Sequence, residues 1–546
     1  MSLNILTDPI FPVYRRDQPI RHYVSLAELV DADLIDFAPD RADFKGSYAQ
    51  LAIGLYQLLY PDLSYVAWHR LFVKPPTSEH IKTLCTAWLP HFEVMADGAR
   101  FMQDPVLSTV DAKDSEYNSI SGLLIESAGD SGIKKNTDLF IKRSPDKQIC
   151  PCCAAITLFN LQTNAPAGGA GHRTGLRGGG PLTTLLQYQH PTEPTSLWHS
   201  LWLNVRTASQ WNAHQQPLQP INLNVLPWLN DLSLVQKKDG ETSPEKVHPS
   251  HNLFGMPRRI RLDTTKLSQG HCDLCGLLSE QLISRYLTSP YGWNYKGVWR
   301  HPFSPYYGEK CKIDSFLPMH PQPNGLTWKY WAGWVIGQVD GKKEIKPADN
   351  VSEKIASCHE YEDIEVQQLR LWVFGFDMEN MKARCYYQTY FPMIDFSGLD
   401  DAQQRSLNAY VDQVIKSAEL MLSTLKFAVK TAWFGEVDAA GDLSRVDMAF
   451  WNATQQDFFA MMSDLHRSLL AKQPVEAVLN KWFDRLYLIS KSLYHHNFVA
   501  EQQMVCSEPK RVVKGWRILE GLKTKNKIRA LLNLAPIEIK TPAKAE

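Results

Sequence analysis

Hydrophobic and polar positions along the chain fall into two regimes. In the first, short strand-like runs alternate with turns. Ile10, Phe11 and Val13, a polar turn around Arg15 to Pro19, and the run from Ile20 to Val24 predict a hairpin. Ser25 and Glu28 form a capping-box pattern ahead of Leu29. The apolar stretch over residues 46–60 predicts a buried helix, and residues 79–96 a second one interrupted by Pro90. Residues 105–150 are polar and irregular, and residues 164–181 are rich in glycine. From residue 182 to 395, short apolar runs alternate with Pro, Gly and Asn turns.

After Ser397 and Gly398 the period changes. Leu407, Val411, Val414, Ile415, Ala418, Leu422, Leu425 and Val429 recur at helical spacing. Ser444 and Asp447 read as the cap of a second helix carrying Phe458, Met461, Met462, Leu465 and Leu469. Val475, Val478, Leu479, Trp482, Leu486, Ile489 and Leu493 mark a third. Val512, Trp516, Leu519, Ile528 and Leu531 mark a fourth, which Gly515 and Gly521 weaken. The expected architecture is α+β: a large mixed α/β domain over residues 1–395, then a four-helix bundle over residues 396–546.

Composition narrows the function classes. The 546 residues include 58 Lys plus Arg and 58 Asp plus Glu, so the net charge is zero. Hydrophobic residues at 44% supply a large core and exclude a disordered or collagen-like chain. The charge balance argues against a basic protein that coats nucleic acid by itself. Pro9 and Pro12 break the N-terminal apolar run, which predicts no secretory signal. No stretch reaches the ~18 to 20 apolar residues of a membrane span, so a cytoplasmic protein without a membrane partner is expected. Ten cysteines are too few for a disulfide scaffold, and clustered ones point to metal or redox chemistry.

Two CxxC units stand out, Cys150 with Cys153 and Cys272 with Cys275. Each turn aims two thiolates at one ion, and two turns complete a tetrahedral zinc site with S–Zn distances near ~2.3 Å. Such an ion would staple two distant parts of one domain, and four sulfur ligands would make it structural. Cys152 and His271 are alternative ligands; unrelated buried thiols or a redox CxxC are alternative readings. Cys85, Cys311, Cys358, Cys385 and Cys506 stand alone and read as core.

Other motifs are less chemical. The loop NAPAGGAGHRTGLRGGG at residues 164–180 fits neither the phosphate-binding P-loop nor GxGxxG, because position 174 is Thr. It suits close backbone approach to a ligand, flanked by Arg173 and Arg177, or a solvent-exposed connection. Two basic runs can neutralise phosphates or form solvated faces: Arg258, Arg259 and Arg261, and Lys510, Arg511, Lys514, Arg517, Lys523, Lys525, Lys527 and Arg529. Catalytic signatures such as HExxH and GxSxG are missing. Asp377 and Glu379 share a strand face as an acidic pair.

The order of these motifs carries a resemblance. ILTDPIFPV, Cys150-x-x-Cys153 followed by AAITLFN, the glycine loop, GMPRRIRL, Cys272-x-x-Cys275-Gly, Trp299-x-His301-Pro302-x-Ser304-Pro305, FGFDMENMKARCYY and the terminal helices occur in one sequence. Together they resemble the large-subunit family of the type I-E CRISPR surveillance complex, Cascade, over nearly the whole chain. The resemblance implies a non-enzymatic subunit at the 5′ handle of the crRNA, assembled with the other Cascade subunits. It implies reading of the protospacer-adjacent motif (PAM) in target double-stranded DNA, largely from the minor groove, where the base-pair pattern is degenerate. Duplex opening and recruitment of a separate helicase–nuclease follow.

By the same resemblance, Ala167, Gly168, Gly169, Ala170 and Gly171 form the family's glycine loop at the DNA. Asn380, beside Glu379, takes the place of a wedge glutamine in a β-hairpin. Lys296, the single lysine between Cys275 and Trp299, is the candidate minor-groove lysine. Phe140, Lys142 and Arg143 fall in a mobile loop near the crRNA handle. Cys150, Cys153, Cys272 and Cys275 match positions that hold zinc in some members. Two other readings compete: a zinc-dependent nuclease or hydrolase, which needs an open metal position and a general base, and a zinc-stapled interaction scaffold without nucleic acid.

Overall fold

The computed structural model describes residues 3–109, 112–136, 147–169, 171–190, 192, 194–211, 225–229, 238–361, 364–434, 441–499 and 508–537. Ala170, Phe140, Lys142, Arg143 and Cys506 lie outside the described residues. The chain divides into two compact units. One comprises Met1–Pro321 and Val339–Tyr390, the other Gln322–Gln338 and Phe391–Glu546. The chain break between them thus falls at Tyr390, and a short segment from the mixed region belongs with the helices.

In the first unit the expected N-terminal hairpin pairs Phe11–Arg15 with Gln18–Val24, Phe11 opposite Val24. Leu34–Phe37 adds a third strand on the other side of Phe11–Arg15. Glu28 accepts from the Ser25 backbone at 2.7 Å, the capping-box bond, and the turn it opens is 3-10 over Leu26–Val30. The buried helix starts earlier than the apolar run suggests, at Ala42, and ends at Leu59. Its polar side chains are answered inside the core. Asn160 donates to Asp43 at 2.9 Å, and Ser47 donates to Asn160 at 3.0 Å. This ties it to the helix Pro151–Asn164. The helix expected over 79–96 is shorter. Ser78–Cys85 is helical, and a single turn, Leu89–His91, follows around Pro90, which cannot donate a backbone hydrogen bond.

The strand-like PLTTLL run becomes Thr183–Tyr188, antiparallel to Leu369–Glu379 with Leu185 opposite Trp372. Lys382–Pro392 completes this three-stranded sheet. Arg259–Leu262 pairs with Arg285–Ser289 in another sheet. Ser268–His271 and Leu278–Leu282 form a separate hairpin around the second CxxC.

The second unit is helical. Asp401–Phe434, Ser444–Leu470 and Glu476–Ser492 follow the three expected apolar stripes, and a π-helical stretch Leu493–Val499 extends the last. Asp442, not Ser444, serves the second helix start, accepting from the Ser444 backbone at 2.8 Å. The expected fourth helix is two helices, Pro509–Glu520 and Leu522–Leu531, broken at Gly521. Both pack on Asp401–Phe434. No helix among the described residues is long and apolar enough to cross a membrane.

Candidate metal centre and nucleic-acid interface

The four cysteines of the two CxxC units converge. Their sulfurs all lie within 4.8 Å of one another, and Cys150 Sγ is 3.8 Å from Cys275 Sγ. A tetrahedron with ~2.3 Å arms has edges of about 3.8 Å, so the donor set fits one tetrahedral ion. Local structure builds each half. Cys150 caps the helix Pro151–Asn164, with Pro151 at the first helical position, and its sulfur accepts from the Cys153 amide at 3.5 Å. Cys272 and Cys275 sit in the tight turn of the hairpin, where Gly276 takes φ +72° and donates to the Cys272 carbonyl at 2.8 Å. Main-chain bonds between Ile149 and Ile283, at 3.0 and 2.8 Å, lock the halves together.

The crowding perturbs the thiols in opposite directions. Hydrogen bonds from the Cys150, Cys153 and Cys275 thiols hold Cys272 far below its ordinary value. Giving such a bond to Cys150, and others to Cys272 and Cys275, pushes Cys153 far up. One negative charge is thus welcome and further ones are resisted, which a dication would reverse. Cys152 and His271 are outside the cluster, and the exposed His271 ring faces the Gly276 carbonyl at 2.9 Å. Two cysteines read as core are exposed: Cys311 lies in the turn after the strand Tyr306–Glu309, and Cys385 on the edge strand Lys382–Pro392.

The glycine-rich segment is a folded strap. The Gly168 amide donates to the His172 carbonyl at 3.2 Å, and Tyr291 donates to the Gly171 carbonyl at 3.0 Å. Gly171 has φ +84°, and a Cβ there would lie 2.7 Å from the Tyr291 ring, so no larger residue fits without a shift. Around Gly169 the space is open. At the far end, Gly180 abuts Phe376 and Met378 of the 369–379 strand. The strap therefore connects the 290–291 segment to the hairpin. Five residues past Tyr291, Lys296 is exposed with no side-chain partner among the described residues.

The hairpin tip carries Asn380 and Met381, with φ of 48° and 65°. Two successive positive φ values are the pattern of a type I′ turn, which Asn favours at its first position. Met381 is 58% exposed. Behind the tip, Arg384 donates to both oxygens of the buried Asp377, at 3.1 and 2.7 Å, and to Glu379 at 2.6 Å. The acidic pair is thereby spent on an arginine, which removes it as a metal ligand set. Arg384 was not singled out in the sequence, though its spacing from Glu379 across a two-residue turn is the signal.

Two arginine readings change. Arg177 does not flank the loop towards solvent. It is fully buried and donates to Thr183, Ser304 and Gln50 at 2.9, 3.0 and 2.7 Å. Desolvation lowers its pKa to about 9. The run Arg258–Arg261 is likewise internal. Arg258 donates to the Pro166 carbonyl beneath the strap, Arg259 pairs with Asp104, and Arg261 donates to the Gly98 carbonyl at 3.2 Å.

A profile of the family described as CRISPR-associated protein Cse1 matches residues 4–493. The chain belongs to the Cse1 family. Its fold is also that of solved Cse1 structures. The CRISPR-associated protein Cse1 from Acidimicrobium ferrooxidans matches with a TM-score of 0.64 at 14% identity, over 97% of this chain and 99% of that one. The Thermus thermophilus CasA (Cse1) structure matches with a TM-score of 0.64 at 14% identity, over 97% and 99%. A chain of a structure described as a CRISPR RNA-guided surveillance complex matches with a TM-score of 0.61 at 13% identity, over 96% and 99%. Within this Cse1 chain the cysteine cluster, the strap, Lys296 and the hairpin tip all belong to the first compact unit.

Proposed function

We propose that this chain is the large subunit of a type I-E Cascade complex, a cytoplasmic and non-enzymatic recognition protein. It engages the crRNA 5′ handle and neighbouring Cascade subunits. It reads the PAM in target double-stranded DNA, promotes duplex opening for crRNA-guided R-loop formation, and recruits the helicase–nuclease. The match of the Cse1 family over residues 4–493 carries this reading. The fold shared with a chain from an RNA-guided surveillance complex supports it.

In this proposal Ala167 to Gly171 and Lys296 face the DNA minor groove. Asn380, beside Glu379, enters the duplex from the hairpin tip. Phe140, Lys142 and Arg143 serve the crRNA side. Structural zinc sits among Cys150, Cys153, Cys272 and Cys275, joining the helix to the hairpin. All four thiols are taken up there, which leaves no open ligand position for a hydrolase. The helices after residue 396 act as a four-helix bundle whose last arm is the broken pair.

The assembled complex tests the reading. With a guide in place, duplexes that differ only in the motif beside the target are compared for binding, and R-loop formation is followed separately. Motif changes are expected to abolish stable binding. Asn380→Ala is expected to slow R-loop formation about tenfold, equivalent to about 1.4 kcal/mol, with initial docking nearly unchanged. Binding that ignores the motif sinks the proposal, and equal losses at both steps sink the wedge role.

A further inference from the structure

The two basic runs look alike in sequence and have opposite fates in the fold. Arg258, Arg259 and Arg261 turn inward onto carbonyls and Asp104. In the C-terminal run, three residues are engaged. Arg511 pairs with Glu508 at 2.8 Å, Lys525 with Glu520 at 2.9 Å, and Arg529 donates to the Ala535 carbonyl at 2.6 Å. The other five, Lys510, Lys514, Arg517, Lys523 and Lys527, are exposed. None has an ion pair or a side-chain hydrogen bond among the described residues. Glu520, the one acid on these two helices, is already shared by Lys525 and Lys491, the latter at 3.0 Å.

Their spacing aligns them. Lys510, Lys514 and Arg517 stand at i, i+4 and i+7 of Pro509–Glu520, so they form one stripe. Lys523 and Lys527 repeat the i, i+4 spacing on Leu522–Leu531. The opposite side of the first helix is committed. Gly515 and Leu519 are buried, and a Cβ on Gly515 would come 2.5 Å from the Ala428 carbonyl of the Asp401–Phe434 helix. The stripe therefore faces away from the packing.

We infer that this stripe docks on the phosphate backbone of double-stranded DNA, a contact separate from motif reading; the inference rests on the reading that the chain works on nucleic acid. Charge complementarity selects a polyanion, since five unpaired cations, whose one intervening acid Glu520 is already paired with Lys525 and Lys491, repel one another until a row of phosphates neutralises them. Single strands are usually held by aromatic platforms that stack on bases. The stripe has none: the nearby Trp516 ring is covered by His495 at 4.2 Å between ring centres and by Lys491 at 4.8 Å. Protein interfaces centre on apolar or aromatic anchors and are poor in lysine, whereas Val513 is the stripe's one exposed large apolar residue.

The test uses the purified full chain without guide and a labelled duplex of unrelated sequence, with affinity measured across a salt series. Lys510→Gln/Lys514→Gln/Arg517→Gln is expected to flatten the slope of log K against log salt by about 2.7, from about 0.9 per lost phosphate contact. A control, Arg405→Gln/Arg467→Gln/Lys481→Gln, is expected to leave the slope unchanged. Circular dichroism melting of both variants checks that the fold is intact. An unchanged slope in the stripe variant overturns the inference, as does no measurable wild-type binding at low salt. A larger loss on single-stranded DNA or RNA than on duplex overturns the choice of duplex. Lost assembly with unchanged DNA affinity assigns the stripe to an acidic protein partner instead. Motif discrimination by the assembled variant complex is a separate readout: it is expected to persist, and its absence in wild type counts against the proposed function alone.

Discussion

His251 is fully buried, its Nδ1 3.3 Å from the Tyr295 hydroxyl and its Nε2 without a hydrogen-bond partner among the described residues. Burial lowers its pKa from 6.5 to about 3, with the nearby His248 adding to the shift. The unfolded chain therefore binds this proton more readily than the folded one. The stability it contributes is complete above pH 6.5 and drains away as pH falls towards 3. At pH 5 the loss is about 2 kcal/mol. Denaturant unfolding at pH 7 and pH 5 is expected to show that much more acid sensitivity in wild type than in His251→Gln; equal sensitivity would refute the buried neutral imidazole. In the sequence His248 and His251 read as a loop pair. Nothing in their spacing says that one is sealed under Trp293 and Tyr295, because burial is set by chain segments more than forty residues away. The same holds for Arg384. Its partners were legible as an acidic pair, but the pairing depends on a turn that brings residue 384 back beside residue 377.

At the scale of elements, local signals performed well where short-range physics decides. The capping box and the N-terminal hairpin depend on neighbouring residues, and each formed; the hairpin that the family resemblance implied around Asn380 is present over residues 369–392. The helix expected over 79–96 ends at Cys85 and gives way to a 3-10 turn, Leu89–His91, because Pro90 cannot continue an α-helix whatever the apolar content around it. Gly515 and Gly521 look in sequence like two weaknesses of one helix. Gly515 lies where a Cβ would collide with the Ala428 carbonyl of the Asp401–Phe434 helix, and Gly521 is the break itself. The cysteine cluster is the element-scale prediction. Cys272→Ser removes the sulfur that the other thiols favour as thiolate. Expected outcomes are loss of stoichiometric zinc by metal analysis and a fall in melting temperature of about 5–10 °C, on the scale of ~1 kcal/mol per 2–4 °C. Full zinc content in the variant would contradict the four-sulfur site.

At the scale of the molecule, the helical unit is not continuous in sequence. Trp328, on the segment Gln322–Gln338, stacks on Phe458 with ring centres 4.1 Å apart and donates to Thr454 at 3.0 Å. Its edge also meets Trp451 and Trp482. A fragment from Phe391 to Glu546 uncovers these rings. It is expected to bind a hydrophobic dye strongly, while the same fragment joined to residues 322–338 by a flexible linker is not. Equal dye binding by the two would show that the segment is dispensable. The sequence alone determined the change of period near residue 396, the four metal-competent thiols, the hairpin tip and the order of motifs that places the chain in its family. These depend on local spacing, which a linear string records. Tertiary structure alone decided that the Trp328 segment joins the helices, and which charges are available. A run of arginines reads the same whether it meets water or carbonyls, because desolvation and pairing are set by distant segments folded over it. The near-neutral chain thus hides one basic run inside and leaves the other outside.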